Sequence, residues 1–156
     1  MSPTIRVLAA VLASFGAGLI GYMFVDSGVS SWYAGLTKPA LTPSDSTFAV
    51  VWLILYGLMA AALAIVWTSK PHPEYSEGWI RFFFVQLLFN ASYTMFFFGF
   101  HAVFIAFVDL LFLAFTVLCL TTTAAEIDKR AAYLLTPYLL WILFAAYLTL
   151  GIWWLN

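Results

Sequence analysis

The sequence predicts an all-α integral membrane protein, built as a bundle of five transmembrane helices. Of its 156 residues, 65% are hydrophobic and only 8% are charged, a composition outside the range of soluble domains. The apolar residues form continuous runs rich in Leu, Ala and Phe. Strands of a transmembrane barrel would instead alternate apolar and polar residues, so a helical bundle is the expected architecture.

Charges, prolines and glycines divide the chain into five apolar spans, which we expect to form a single membrane domain. Each span can cross about 30 Å of hydrocarbon at about 1.5 Å per residue. The first span, at about 20 residues, is longer than the apolar region of a usual signal peptide, so we expect it to be retained. The predicted spans are 5–25, 47–68, 79–99, 102–124 and 132–155.

The basic residues predict the orientation of these spans. Five spans place the two ends of the chain on opposite sides of the membrane. Five of the six basic residues then fall on the N-terminal side, namely Arg6, Lys70, Arg81, Lys129 and Arg130, whereas Lys38 falls on the other side. By the positive-inside rule, the N-terminus is cytoplasmic and the C-terminus faces outward. The expected location is a bacterial cell membrane.

Residues 26–46 form the longest connection between the predicted spans. Long loops in compact bundles are usually lids, binding segments or disordered. Trp32 and Tyr33 offer apolar surface that water would not hold, and Pro39 and Pro43 stiffen the backbone. We therefore expect this loop to fold back over the outer end of the bundle as a lid.

The first span repeats small residues every four positions, at Ala9, Ala13, Ala17 and Gly21. This small-xxx-small pattern allows helix backbones to approach closely in lipid. The partner helix is either in the same chain or in a second copy, and the pattern leaves both open.

The third span carries a stripe of polar and aromatic side chains. Their spacing of four, three and four residues puts them on one helical face: Gln86, Asn90, Tyr93 and Phe97. Asn90 falls near the middle of the bilayer, where an amide needs a partner. Either it makes an interhelical hydrogen bond or it contacts a ligand.

Asp109 is the only acidic residue well inside a predicted span. A carboxylate at that depth is costly, so we expect it to face the bundle interior and to be hydrogen-bonded. A structural hydrogen bond and a role in ligand binding or proton handling both remain open.

Aromatic residues recur at helical spacing in the second and fifth spans. Trp52 and Tyr56 are one turn apart, and Trp141 is followed on its own face by Ala145 and Leu148. Such stripes are commonly plain packing. Together with the span-three amide, they also form the aromatic walls and convergent polar groups that a planar hydrophobic ligand requires.

Other kinds of site are not expected. The scattered basic residues provide no patch for nucleic acid, and Cys119, the single cysteine, cannot form a disulfide within the chain. His72 and His101 fall at loops, and the sequence has no metal-ligand spacing, phosphate loop or catalytic triad. We expect no metal and no required cofactor.

Five sequence pieces occur in a fixed order: "WYAGLTKP" in the first loop, "VWLILYGLM" in span two, "QLLFN" with "FFFGF" in span three, "FVDLL" in span four and "PYLLWILFAAYL" in span five. Through these pieces the chain resembles the translocator protein family, also called the tryptophan-rich sensory protein (TspO) or peripheral-type benzodiazepine receptor family. The resemblance extends over almost the whole chain.

The resemblance implies a five-helix bundle, usually a homodimer, with a pocket capped by the first loop. Family members bind porphyrins and in many cases cholesterol or isoquinoline and benzodiazepine drugs. The family's pocket positions match Tyr33, Trp52, Asn90, Trp141, Ala145 and Leu148. The expected partners are a tetrapyrrole or another planar hydrophobic molecule, membrane lipid and a second copy of the chain.

The chain departs from the family pattern at several positions. Leu41 replaces a tryptophan and Ser44 a proline in the first loop. In span three, Ala91 and Tyr93 replace tryptophans, and Thr149 stands where some members have asparagine.

The function predicted from these features is a membrane receptor or sensor that binds a porphyrin inside the bundle. Its candidate ligand-binding residues are Tyr33, Trp52, Tyr56, Gln86, Asn90, Phe97, Asp109, Trp141, Ala145 and Leu148. The alternatives are a transporter of porphyrins or sterols and a light-dependent porphyrin-degrading enzyme. In that enzyme Trp52 and Trp141 would be the candidate catalytic residues, because the resemblance implies that they match the family's two tryptophans implicated in that reaction.

Overall fold

The computed structural model describes residues 2–25, 29–69 and 73–156. Its helices, in chain order, are α1 (Pro3–Tyr22), α2 (Val29–Gly35), α3 (Asp45–Thr68), α4 (Pro73–Thr94), which continues into a π-helical turn at Met95–Gly99, α5 (Val103–Ile127) and α6 (Lys129–Leu155). Within this described part there are five helices long and apolar enough to cross a membrane, all but the short α2. The predicted all-α bundle of five membrane helices is confirmed.

Polar caps extend two helices beyond the predicted spans. Helix α3 begins at residue 45 rather than 47, because the Ser44 hydroxyl accepts a hydrogen bond from the Thr47 backbone N–H at 3.3 Å. Helix α6 begins at residue 129 rather than 132, because the Asp128 carboxylate accepts one from the Arg130 backbone N–H at 2.9 Å. Capping residues are polar and lie outside the apolar runs, so hydropathy places these helix ends too late.

Asp128 is the single residue between α5 and α6. Besides the cap, its carboxylate accepts hydrogen bonds from the Arg130 guanidinium at 2.9 and 3.1 Å. These bonds lower the pKa of Asp128, since they favour its charged form. The cap therefore persists to lower pH than it would with an unperturbed aspartate.

The predicted loop 26–46 contains a short helix, α2, that the sequence analysis did not anticipate. Seven residues are too few to show a helical repeat of apolar positions. After α2 the chain passes Leu41, whose φ of 69° lies in the left-handed region that a leucine rarely adopts. The side chain of Leu41 is exposed, so it does not pack against the bundle.

The small-residue stripe of α1 packs within its own chain. Ala17 and Gly21 of the stripe are buried together with the adjacent Ala10 and Ser14, whereas Ala9 and Ala13 are partly buried. Helix α1 contacts α3 and α4. A Cβ added at Gly18 would lie 2.5 Å from the ring of Tyr56 on α3. The absence of a side chain at Gly18 therefore sets how closely α1 and α3 approach.

The π-helical turn at Met95–Gly99 ends α4 and leads into α5. Its backbone bonds are wider than those of an α-helix, with Phe100 N–H donating to Met95 C=O at 2.9 Å and Ala102 N–H to Phe96 C=O at 2.8 Å. Such turns rotate the side chains that follow them. Here the turn presents Phe97 to the segment that contains α2.

We expect Gly18→Ala to destabilise the protein by about 1–3 kcal/mol, because the added methyl group overlaps the Tyr56 ring. That ring cannot move freely, since its hydroxyl is hydrogen-bonded to Asn90. Gly16→Ala is the matched control, because a Cβ at Gly16 meets no atom within 4 Å. It should leave stability unchanged or raise it by up to about 1 kcal/mol through helix propensity. Thermal unfolding in detergent measures both, and equal melting temperatures would contradict the close α1–α3 contact.

Candidate functional site

A chain of buried hydrogen bonds joins α3, α4 and α6 at the centre of the bundle. The Tyr56 hydroxyl donates to Asn90 Oδ1 at 2.8 Å, and Asn90 Nδ2 donates to the Tyr138 oxygen at 2.9 Å. The Tyr138 hydroxyl in turn donates to Gln86 Oε1 at 2.9 Å. Asn90, Gln86 and Tyr138 are almost completely buried. Two predicted site residues of α4, Asn90 and Gln86, thus lie in one network with a tyrosine from α3 and a tyrosine from α6.

Trp52 lies against this network. Its ring stacks on Tyr56, with centroids 5.6 Å apart, and meets Tyr138 edge-on at 6.3 Å. Both tyrosine hydroxyls are engaged with Asn90. The network therefore fixes the two rings that position Trp52.

Trp141 lies on α6 and faces α3. Its ring meets Phe48 edge-on at 5.3 Å, and Phe48 precedes Trp52 by one turn of α3. Ala145 and Leu148 follow on the same face of α6 and are buried. The structure thus brings the two predicted tryptophans to one helix interface.

Two buried donors, one on α6 and one on α4, have no hydrogen-bond partner among the described residues. They are Nε1 of Trp141 and Nε2 of Gln86. A buried donor without a partner costs about 1–3 kcal/mol. An acceptor atom brought to either donor would remove that cost.

Phe97 does not join the network and lies instead below the loop segment. Its ring contacts Trp32 at 5.6 Å and Tyr33 at 6.1 Å. Burial raises the pKa of Tyr33, and the nearby charge of Asp45 raises it further. Trp32 also stacks on His101, with centroids 4.0 Å apart. These aromatic contacts hold the loop segment over one end of the bundle.

The same segment is attached to the last turns of α6. The Thr37 N–H donates to Asn156 Oδ1 at 2.9 Å, and Asn156 Nδ2 donates back to the Thr37 carbonyl at 3.0 Å. Pro39 packs on Gly151, where an added Cβ would lie 2.8 Å from the proline ring. Residues 37–39 are thus fixed through backbone bonds and one close contact.

Asp109 is buried, as expected, and is hydrogen-bonded to a neighbouring helix. Ser92 Oγ on α4 donates to its Oδ1 at 2.8 Å, while its Oδ2 has no partner among the described residues. The carboxylate thus joins α4 to α5 rather than entering the network around Asn90.

Comparison of the sequence with known proteins identifies the family of the chain. The TspO/MBR family matches residues 9–155. The chain belongs to the TspO/MBR family. A protein named Tryptophan-rich protein TspO from Archaeoglobus fulgidus is 34% identical over 153 residues, covering 97% of each chain. Another of that name from Bacillus cereus is 36% identical over 129 residues, covering 81% of each, and the human Translocator protein is 30% identical over 152 residues, covering 97% of this chain and 90% of its own.

Two of the chain's departures from the TspO/MBR pattern contact each other. Tyr93, where the resemblance expects a tryptophan, has its hydroxyl 3.1 Å from that of Thr149, where some members have asparagine. Both residues are turned into the bundle, and Tyr93 also packs on Phe97. The two side chains therefore form a contact between α4 and α6.

Sequence reasoning missed Tyr138 and Phe48, which complete this TspO/MBR site. Tyr138 follows Pro137 and precedes Trp141 by three residues. This spacing alone predicts that Tyr138 and Trp141 lie on the same face of the helix. Phe48 precedes Trp52 by four residues in the same way. The spacing shows the shared face, but only the fold shows that Tyr138 is the centre of the network.

We expect Tyr138→Phe to lower the free energy of unfolding by about 1–3 kcal/mol, because it removes two hydrogen bonds and leaves both amide partners buried. Tyr133→Phe on the same helix is the matched control, since Tyr133 is 74% exposed. Thermal unfolding of the two variants in one detergent makes the comparison. Equal stability would show that the network contributes nothing to the bundle.

Proposed function

We propose that the protein is a membrane receptor that binds a porphyrin, or another planar hydrophobic molecule, between α3, α4 and α6 beneath the loop segment. The observation that carries the proposal is the buried indole N–H of Trp141, which has no partner among the described residues at an interface lined by aromatic rings. Aromatic faces suit a flat apolar ring system, and a free donor suits its polar substituents.

Each residue of the site has a distinct role in this proposal. Trp52 and Trp141 are the stacking walls, and Asn90 is the polar contact, held in place by its two tyrosine partners. Tyr33 and Phe97 contact each other between the loop segment and the bundle, and a ligand would pass them on entry. The name of the human relative, Translocator protein, is compatible with movement of a ligand.

All of these groups come from one chain. A homodimer, which the family resemblance implies, would therefore contain two such sites, each complete without residues from its partner. Membrane lipid surrounds the exposed apolar faces of the five long helices.

We expect Trp52→Ala and Trp141→Ala each to weaken binding of protoporphyrin about tenfold or more, because each removes a stacking face and its contact area. Conservative changes to phenylalanine should cost less, since the ring face is kept. Titration of the purified protein, followed by quenching of the remaining tryptophan fluorescence, measures the affinity.

Trp153→Ala is the matched control for this titration. Trp153 is 44% exposed and packs on Phe104, away from the site. Its removal should leave affinity nearly unchanged. A loss as large as that of the two site variants would mean that porphyrin partitions into surface aromatic residues instead of binding between the helices.

We further propose that the end of the bundle that holds the loop segment faces outward and that the N-terminus is cytoplasmic. The described basic residues support this orientation, because Arg6, Arg81, Lys129 and Arg130 lie at the end opposite Lys38, while Lys70 is outside the described residues.

Cysteine labelling tests the orientation in intact cells. In a Cys119→Ala background, an impermeant maleimide should label Lys38→Cys and leave Lys129→Cys unlabelled until the cells are opened. Labelling of position 129 in intact cells, with position 38 protected, would reverse the assignment.

A further inference from the structure

A groove of about 750 Å³ lies on the outside of the bundle between α4 and α5, at the end opposite the loop segment. It shares no residue with the site around Trp52 and Trp141. Residues of both helices line it, among them Tyr75, Gly78, Phe82, Cys119, Thr123 and Glu126. Both walls belong to helices that are long and apolar enough to span a membrane.

The groove exists because α4 has no side chain at Gly78 to fill the space beside α5. Gly78 has no side chain, and a Cβ placed there would meet no atom within 4 Å. The next residue, Trp79, turns inward, where its Nε1 donates to the Leu120 carbonyl at 2.9 Å and its ring stacks on Phe83. The bulkiest side chain of this turn thus joins α4 to α5 at the floor of the groove.

The lining changes from polar to apolar with depth. Glu126 lies in the last turn of α5, and Cys119 lies seven residues earlier, which is about 10 Å deeper along the helix axis. Thr123 lies between them, and its hydroxyl is already satisfied by the Cys119 carbonyl at 2.6 Å. A polar rim above a wall without free donors fits a molecule with one polar end and one apolar chain.

The acidic residue at the rim of the groove, Glu126, determines which polar group of a ligand would bind there. Among the nine described residues that line the groove, Glu126 is the one acidic residue, and there is no Lys or Arg among them. Near the rim, Glu77 is paired with Arg81 and Asp128 with Arg130, whereas Lys129 makes no ion pair among the described residues. Glu126 has no ion-pair partner among the described residues, so its carboxylate is available to a cationic donor.

We propose that this groove binds a phospholipid with a primary ammonium headgroup, phosphatidylethanolamine, with the ammonium at Glu126 and an acyl chain along Gly78, Phe82 and Cys119. An ammonium donates hydrogen bonds to a carboxylate, whereas the quaternary nitrogen of phosphatidylcholine has no proton to donate. An anionic headgroup would be repelled by the carboxylate.

Photocrosslinking in nanodiscs tests the proposal. The protein is reconstituted in phosphatidylcholine nanodiscs with a trace of phosphatidylethanolamine or phosphatidylcholine that carries a diazirine in one acyl chain, and the crosslinked peptides are identified by mass spectrometry. The ethanolamine probe should label the segments 78–82 and 119–123 about two- to fivefold more than the choline probe, the range expected for one partly exposed ionic contact. Glu126→Gln should remove that preference.

Gly78→Leu should reduce labelling of these segments at least about threefold, because its side chain extends into the groove from a position where a Cβ meets no atom within 4 Å. Gly57→Leu is the matched control, since a Cβ at Gly57 also meets nothing within 4 Å and α3 does not line the groove. It should leave labelling unchanged.

Equal labelling by the two probes in the unmodified protein, or labelling that survives Gly78→Leu, would overturn the proposal. So would a protein–protein crosslink through Cys119 in place of lipid labelling, because it would identify the occupant of the groove as a second copy of the chain.

Discussion

The absence of water from the hydrocarbon core is the constraint on which this structure depends. Each amide or hydroxyl group inside the bundle must find its partner within the protein. The bonds from Tyr56 through Asn90 to Tyr138 meet this requirement with side chains from three different helices. Because the bonds have narrow geometry, they fix the rotation of α3, α4 and α6 about their axes. That rotation in turn brings Trp52 and Trp141 to the same interface.

Close backbone contact provides the second element of the architecture. Small residues bring α1 against Tyr56 at Gly18, and Gly151 brings Pro39 of the loop segment against α6. The loop is also fixed by the bonds between Asn156 and the Thr37 backbone and by the ring contacts of Trp32 and Tyr33. The bonds to Asn156 involve only backbone groups at position 37, whereas the ring contacts depend on the aromatic side chains of the loop.

The inner site and the outer groove place different demands on α4, the helix that they share. One face of α4 carries Asn90 into the polar network, whereas Gly78 opens its lipid side near the other end. Trp79 separates the two regions, because its hydrogen bond to the Leu120 carbonyl joins α4 to α5 beneath the groove. A ligand inside the bundle and a lipid outside it can therefore be bound by one chain without shared residues.

The sequence alone determined the five membrane helices, the long connection after the first of them and the helical faces that carry Trp52, Asn90 and Trp141. Apolar length and a repeat of 3.6 residues are local properties, so they are readable without the fold. Only the tertiary structure decided which side chains meet. It placed Tyr138 at the centre of the network, paired Asp109 with Ser92 and placed Phe97 against Trp32 of the loop segment. Spacing along one helix shows which residues share a face, but the partner across the interface depends on how neighbouring helices are rotated and how closely they approach. Those quantities are set by contacts between residues far apart in the chain.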